Sequence, residues 1–163
     1  MLKAVFIIII IITLIVISYV IGYLNCKLIL AREINKEHRV AEKNIQLYRL
    51  ICKWHIEYKN GRNIYQLLKN KGYKNCAIYG VGALGQLIIQ EAGMCKDVNI
   101  SYAIDRNAKK INSNITVFSP EDELPTVDVI IITTFTEYYS VIDTLQKKNN
   151  IPMISVDELI YEL

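Results

Sequence analysis

Residues 76–85 read Cys76-Ala77-Ile78-Tyr79-Gly80-Val81-Gly82-Ala83-Leu84-Gly85, a short apolar run passing straight into G-x-G-x-x-G. A second apolar run, Ile100-Ser101-Tyr102-Ala103-Ile104, ends in Asp105, 20 residues beyond Gly85. Strand, glycine turn, helix, strand and acid in that order form the layout of a dinucleotide-binding βαβ unit. Each glycine has a physical task there. Gly80 permits the tight turn off the strand, Gly82 lets a ligand phosphate approach the backbone, and Gly85 lets the helix pack on the sheet. The amides of Val81, Gly82, Ala83 and Leu84, at or near the helix start, then face an anion, helped by the helix dipole. Asp105 is the expected acceptor for a ribose hydroxyl.

Other candidates follow from position. Arg106, next to Asp105, is either a contact for a 2′-phosphate or adenine ring, or a solvated arginine near Lys109 and Lys110. Thr133 and Thr134 end a later apolar run, Val127 to Thr133, expected beside the first strand at the topological switch point where open α/β sheets bind ligands. Glu137, Tyr138 and Tyr139 begin the next helix and are within reach of the same crevice. The bland alternative is a tight strand-to-helix turn that holds no ligand.

Working outward, the sequence from residue 72 alternates strands and helices. Strands are expected at 75–79, 98–104, 115–118, 127–133 and 153–156. Helices are expected at 83–92, ending at Gly93, and from about 137 to 148. Ser119-Pro120-Glu121-Asp122 has the N-cap and N1 residues of a short helical turn, and Asp157 is placed to cap a last helix. Such alternation implies a parallel sheet with right-handed crossovers. The strand order expected is 3-2-1-4-5. The fold class is α/β: a minimal five-stranded parallel Rossmann-like domain behind an N-terminal transmembrane helix and a helical stalk.

The anchor is read from Ala4 to Leu24, a 21-residue run without a charge and with nine isoleucines. At about 1.5 Å rise per residue it spans roughly the thickness of a bilayer core. A cleaved signal peptide would have a shorter apolar core and small residues at the cut, and no A-x-A pattern appears here. Tyr19 and Tyr23 suit the headgroup level. Residues 1–26 are therefore expected as the anchor, 27–71 as a basic helical stalk and 72–163 as the nucleotide-binding domain. Asn60-Gly61 breaks the stalk, and a short helix, 64–70, stops at a left-handed Gly72. The stripe Leu47, Ile51, Trp54 and Tyr58 fits either a short coiled-coil seam that would make a homo-oligomer or, preferably, a helix packed on the following domain.

Charge sets orientation and excludes partners. Residues 27–71 carry 11 Lys and Arg against 4 Asp and Glu, whereas residues 72–163 carry 7 against 12. The positive-inside rule then places the C-terminal domain in the cytoplasm of a single-pass cell-membrane protein. The basic segment suits an anionic lipid bilayer. The acidic domain argues against nucleic acid. Cys26, Cys52, Cys76 and Cys95 have neither C-x-x-C spacing nor nearby paired histidines, so no metal site or disulfide framework is expected. Catalytic groups are sparse. The Tyr-x-x-x-Lys spacings, Tyr23/Lys27 and Tyr65/Lys69, lie upstream of the glycine turn, and His38 and His55 lie in the stalk.

The segments Ala77 to Gly85, Tyr102-Ala103-Ile104-Asp105-Arg106 and Val127 to Thr133 resemble the small Rossmann-like domains of bacterial cell-surface polysaccharide biosynthesis. Such domains occur behind membrane helices at the front of capsule-type nucleotide-sugar epimerase/dehydratases. The resemblance covers roughly residues 71–163. In those enzymes a second, catalytic domain follows, which this sequence is expected to lack. The resemblance thus implies binding of NAD(P) or a nucleotide-sugar, a nucleotide-type small molecule, as an accessory to polysaccharide-synthesis enzymes. Two other functions stay open: an oxidoreductase or sugar-modifying enzyme completed by a partner, and a tethered interaction module without a ligand.

Overall fold

The computed structural model of the protein describes residues 2–92 and 96–163. It comprises two compact units, Met1–Leu47 and Tyr48–Leu163. Helix α1 (Leu2–Lys59) runs through the first and supplies the opening element of the second. Within the first unit, α1 is long and apolar enough to cross a membrane by length and composition. Among its described side chains, Ile11, Ile12, Leu14, Ile15, Val16 and Ile17, which together go all round the helix, are exposed. A helix that is apolar all round is at home inside a larger core or a bilayer.

In the second unit, the end of α1 buries Leu50, Trp54 and Glu57. Helical packing of the following domain is the outcome here, with a different stripe from the one expected. Tyr58 stays 49% exposed, and Leu50 and Glu57 take the inward positions. The buried Glu57 carboxylate accepts a hydrogen bond from Lys53 at 2.9 Å and pairs with Arg62. The Lys53 bond, with burial opposing it and Arg62 assisting, holds this carboxyl below its ordinary range. The Glu57 carbonyl also accepts from Asn60 and Arg62, closing the helix at the break the sequence marks.

Helix α2 (Ile64–Asn70) is capped by Asn63, whose side chain accepts the Gln66 N–H at 2.8 Å. It ends in paired bonds from Tyr73 N–H to the Leu68 carbonyl and Gly72 N–H to the Lys69 carbonyl, with Gly72 at φ +86. This is the left-handed close expected of that glycine.

The sheet has five strands, β1 (Asn75–Tyr79), β2 (Asn99–Ile104), β3 (Val117–Phe118), β4 (Val129–Ile132) and β5 (Met153–Ser155), ordered β3-β2-β1-β4-β5. Every pairing is parallel. With helices between the strands, the sheet is Rossmann-like in topology. Tyr79 stands level with Ile104 on one side and Ile132 on the other, so the ends of β1, β2 and β4 form one edge. A register shift after Cys76 leaves Ser101 outside the β1–β2 ladder.

Alternation along β1 sends successive side chains to opposite faces. Ala77 and Tyr79 join Tyr102, Ile104, Ile130 and Ile132 under Val141 and Leu145 of α4 (Tyr138–Leu145). Ile78 faces α3 (Ala83–Ala92) on the other side, where the Tyr65 hydroxyl of α2 donates to the Ile88 carbonyl. Ile130, Ile131 and Ile132 are fully buried, each contributing about 1.5–3 kcal/mol of transfer free energy. An unbroken apolar run is what burial on both faces of a parallel strand demands.

Several boundaries differ from the sequence expectation. β3 keeps only Val117 and Phe118 of the expected 115–118, and β4 only 129–132 of 127–133. Ser119 to Asp122 forms a hydrogen-bonded turn, not a helix: the Asp122 carboxylate accepts the Ser119 N–H at 2.7 Å. Pro125 disfavours helical geometry at Leu124 and so blocks extension. The helix after β4 opens with a 3-10 turn, Phe135–Glu137, and ends at Leu145. The last helix, α5 (Val156–Glu162), starts two residues early; Ser155 holds the N-cap position, and Asp157 accepts from its hydroxyl. The expected stop at Gly93, and Cys95, lie outside the described residues.

Candidate functional site

The glycine turn lies at the C-terminal edge of the sheet, between the ends of β1 and β4. Gly80 sits at φ +95 and donates its N–H to the Ile104 carbonyl at 2.8 Å. A Cβ there would lie 2.7 Å from Thr133 Oγ1 and 2.9 Å from Thr134 Cγ2. At Gly85 a Cβ would lie 2.1 Å from the Gly80 carbonyl oxygen, so α3 can pack this close to β1 only with glycine at this point. At Gly82 an added Cβ would meet nothing within 4 Å. Gly80 thus makes the tight turn and Gly85 the close helix–sheet packing expected of them, and Gly82 borders open space.

The remaining expected residues gather at the same edge. Ala83 and Leu84 begin α3; Ala83 is exposed, while Leu84 is buried and offers the edge only its backbone. Gly82 accepts the first helical bond, from Gln86 at 3.0 Å. The amides of the first turn have no intrahelical acceptor by the geometry of any helix. Val81 is different: its N–H donates to Asp105 Oδ2 at 2.9 Å. The other Asp105 oxygen accepts from the Asn107 N–H at 2.8 Å. Asp105 thus stands beside the glycine turn, where the motif requires an acid, and also clamps the turn to the end of β2. Spacing in sequence gave its position but not this second task.

Thr133 and Thr134 flank the turn in different ways. The Thr133 hydroxyl lies 2.8 Å from the Gly80 carbonyl and 3.0 Å from that of Tyr79, so its single proton is committed to holding the turn. The Thr134 hydroxyl is buried with no hydrogen-bond partner among the described residues. Arg106 pairs with Glu137 at 2.9 Å, across from β2 to the start of the helix after β4.

Beside this edge, on the α4 side of the sheet, is a cavity of about 300 Å³. Tyr79, Arg106, Ser119, Pro120, Glu137 and Ser140 are among its lining residues. That volume is at the lower end for small-molecule sites. Of this lining, Arg106 and Glu137 were legible in the sequence, and Tyr79, Ser119 and Ser140 were not. The signal for Tyr79 was available: the last residue of β1 must point toward one face at the binding edge. Burial, ahead of the fields of Asp105 and Glu137 and against that of Arg106, raises the Tyr79 phenol above its ordinary value. It stays protonated at neutral pH, able both to donate and to accept. A second, smaller cavity of about 170 Å³ is lined by Val81, Gln86 and Gln90 of the glycine turn and α3, and by Asn112, among others.

The chain matches no known protein family, no curated protein and no solved structure.

The edge can cradle an anion on first-turn amides and can hydrogen-bond a neutral group in the adjoining cavity. Among the described residues no group of three or more His, Cys, Asp or Glu side chains is placed to hold a metal ion. Cys76 is fully buried in β1, and burial, followed by the charge of Asp128, pushes its thiol up to about 12. It packs as a small apolar side chain rather than serving as a nucleophile.

Proposed function

We propose that the domain binds a nucleotide-type ligand, NAD(P) or a nucleotide-sugar, at the C-terminal edge of β1, β2 and β4. The observation that carries this reading is the division among the three glycines: Gly80 and Gly85 are fixed by packing, and Gly82 faces open space after Val81, whose N–H is held by Asp105. A turn needed only for chain reversal has no use for a glycine at the open position, since its φ is not in the left-handed region. In this reading the ligand phosphates lie over Gly82 and the first turn of α3. The chain is a single-pass membrane protein with this domain in the cytoplasm, acting as an accessory to cell-surface polysaccharide synthesis. The long apolar helix and the basic residues after it support the anchor and its orientation.

One observation favours a ligand-free interaction module instead. Both Asp105 oxygens already have partners within the chain, so the turn is held shut without help. Hydrogen exchange on the full-length protein in detergent separates the two. Saturating NAD⁺, NADP⁺ or a UDP-hexose should slow exchange in the peptide covering residues 80–86. An unchanged profile with every one of them would leave only the module.

A further inference from the structure

Tyr79 is 6% exposed, and no hydrogen bond from its hydroxyl is found among the described residues; the oxygen is not sealed in the core but opens on a cavity. Core tyrosines normally bond within the fold. The other buried tyrosines do so: Tyr65 donates to the Ile88 carbonyl, and Tyr102 to the Pro125 carbonyl at 2.7 Å. Tyr79 instead lines the cavity of about 300 Å³. The charges at the mouth are matched in pairs: Arg106 with Glu137 at 2.9 Å, and Lys148 with Glu121 at 2.7 Å. A phosphate entering here would have to separate Arg106 from Glu137 and then sit beside the released carboxylate.

Resting on the nucleotide reading above, we infer that this cavity receives the uncharged nucleoside end of the ligand. Tyr79 hydrogen-bonds it, and the Arg106–Glu137 pair selects against an additional phosphate on its ribose. Arg106 is then not a receptor for a 2′-phosphate but half of a neutral gate. The ligand class is a nucleoside diphosphate derivative with an unphosphorylated ribose. NAD⁺ and a UDP-hexose share that chemistry, with the phosphates on the glycine turn in both.

The test is a titration of the full-length protein in detergent. Two probe pairs are used: NAD⁺ against NADP⁺, and a UDP-hexose against its ribose 2′-phosphorylated form. Whichever pair binds identifies the source of the nucleoside. The wild type should prefer the unphosphorylated member about tenfold. Glu137→Gln releases Arg106 and should erase most of that preference. Tyr79→Phe removes a hydroxyl with no partner among the described residues, so it should leave the melting temperature unchanged while weakening binding about fivefold. Equal affinity for both members, or Tyr79→Phe without effect on binding, overturns the cavity assignment and leaves the glycine-turn reading standing. No saturable binding by any probe overturns both.

Discussion

A methyl group added at residue 85 would stand 2.1 Å from the Gly80 carbonyl oxygen and 3.1 Å from its carbon. Both atoms belong to the backbone, and the Gly80 N–H is itself tied to the Ile104 carbonyl at 2.8 Å. No rotamer change relieves the contact. Either α3 shifts away from β1, loosening Leu84 and Ile88 in the core, or the Gly80 turn breaks. Overpacking of this kind costs about 1–3 kcal/mol or more. Each kcal/mol lowers a melting temperature by about 4–8 °C in a domain of 60–100 residues and about 2–4 °C in one of 150–250. The unit spanning residues 48–163 falls between, so Gly85→Ala should lower its transition by about 5–15 °C. Gly82→Ala is the control. Its new methyl meets nothing within 4 Å and its backbone is not left-handed. The small loss of a glycine at an N-cap offsets the entropic gain of alanine, so its stability should stay within about 1 kcal/mol of wild type. Trp54, the only tryptophan and buried in this unit, reports the transition by fluorescence. Equal stability of Gly85→Ala and wild type, or an equal loss in Gly82→Ala, would refute the assigned roles of the glycines.

Three further outcomes are expected. Asp128 accepts the N–H groups of Asn75 and Lys74 at 2.8 and 2.7 Å, and these bonds, in that order, hold its carboxyl below its ordinary range. A depressed folded-state value means stability present above the unfolded value of about 3.9 and lost as pH falls through the folded one. Asp128→Asn should therefore lower the melting temperature at pH 7, and a scan below about pH 4 should show the difference closing. A second outcome, at a cysteine, is read by thiol labelling at about pH 8 followed by peptide mapping. Cys76, fully buried with its thiol pushed up to about 12, should react only after denaturation. Protease added to intact, inside-out membrane vesicles should digest residues 60–163, and in right-side-out vesicles it should spare them; the reverse pattern would contradict the cytoplasmic placement.

The sequence carried the centre of the fold better than its rim. β1 matches both expected ends, 75–79, and α3 its expected start at Ala83, because apolar alternation, a glycine turn and helical spacing all agree there. β3 shrank to two residues at the sheet edge, where it pairs on one side only; Thr116 still accepts the Ala103 N–H at 2.9 Å, and the regular ladder starts at Val117. The turn at 119–122 carried good helix-start residues, and their side chains were spent on local bonds instead. The same holds for the site. Spacing located Asp105 and the glycines, since those are set along the chain. It did not reveal that Asp105 clamps Val81, that Thr133 locks Gly80 or that Tyr79 opens onto a cavity, because these depend on contacts made between the ends of different strands.

The central claim is that the open glycine belongs to a phosphate site. Calorimetric titration of full-length wild type and Gly82→Val with NAD⁺ and with a UDP-hexose tests it most directly. The account predicts saturable binding of at least one of them to the wild type, lost in Gly82→Val while the melting temperature is kept. Absence of binding at millimolar ligand, or binding that survives Gly82→Val unchanged, would contradict it.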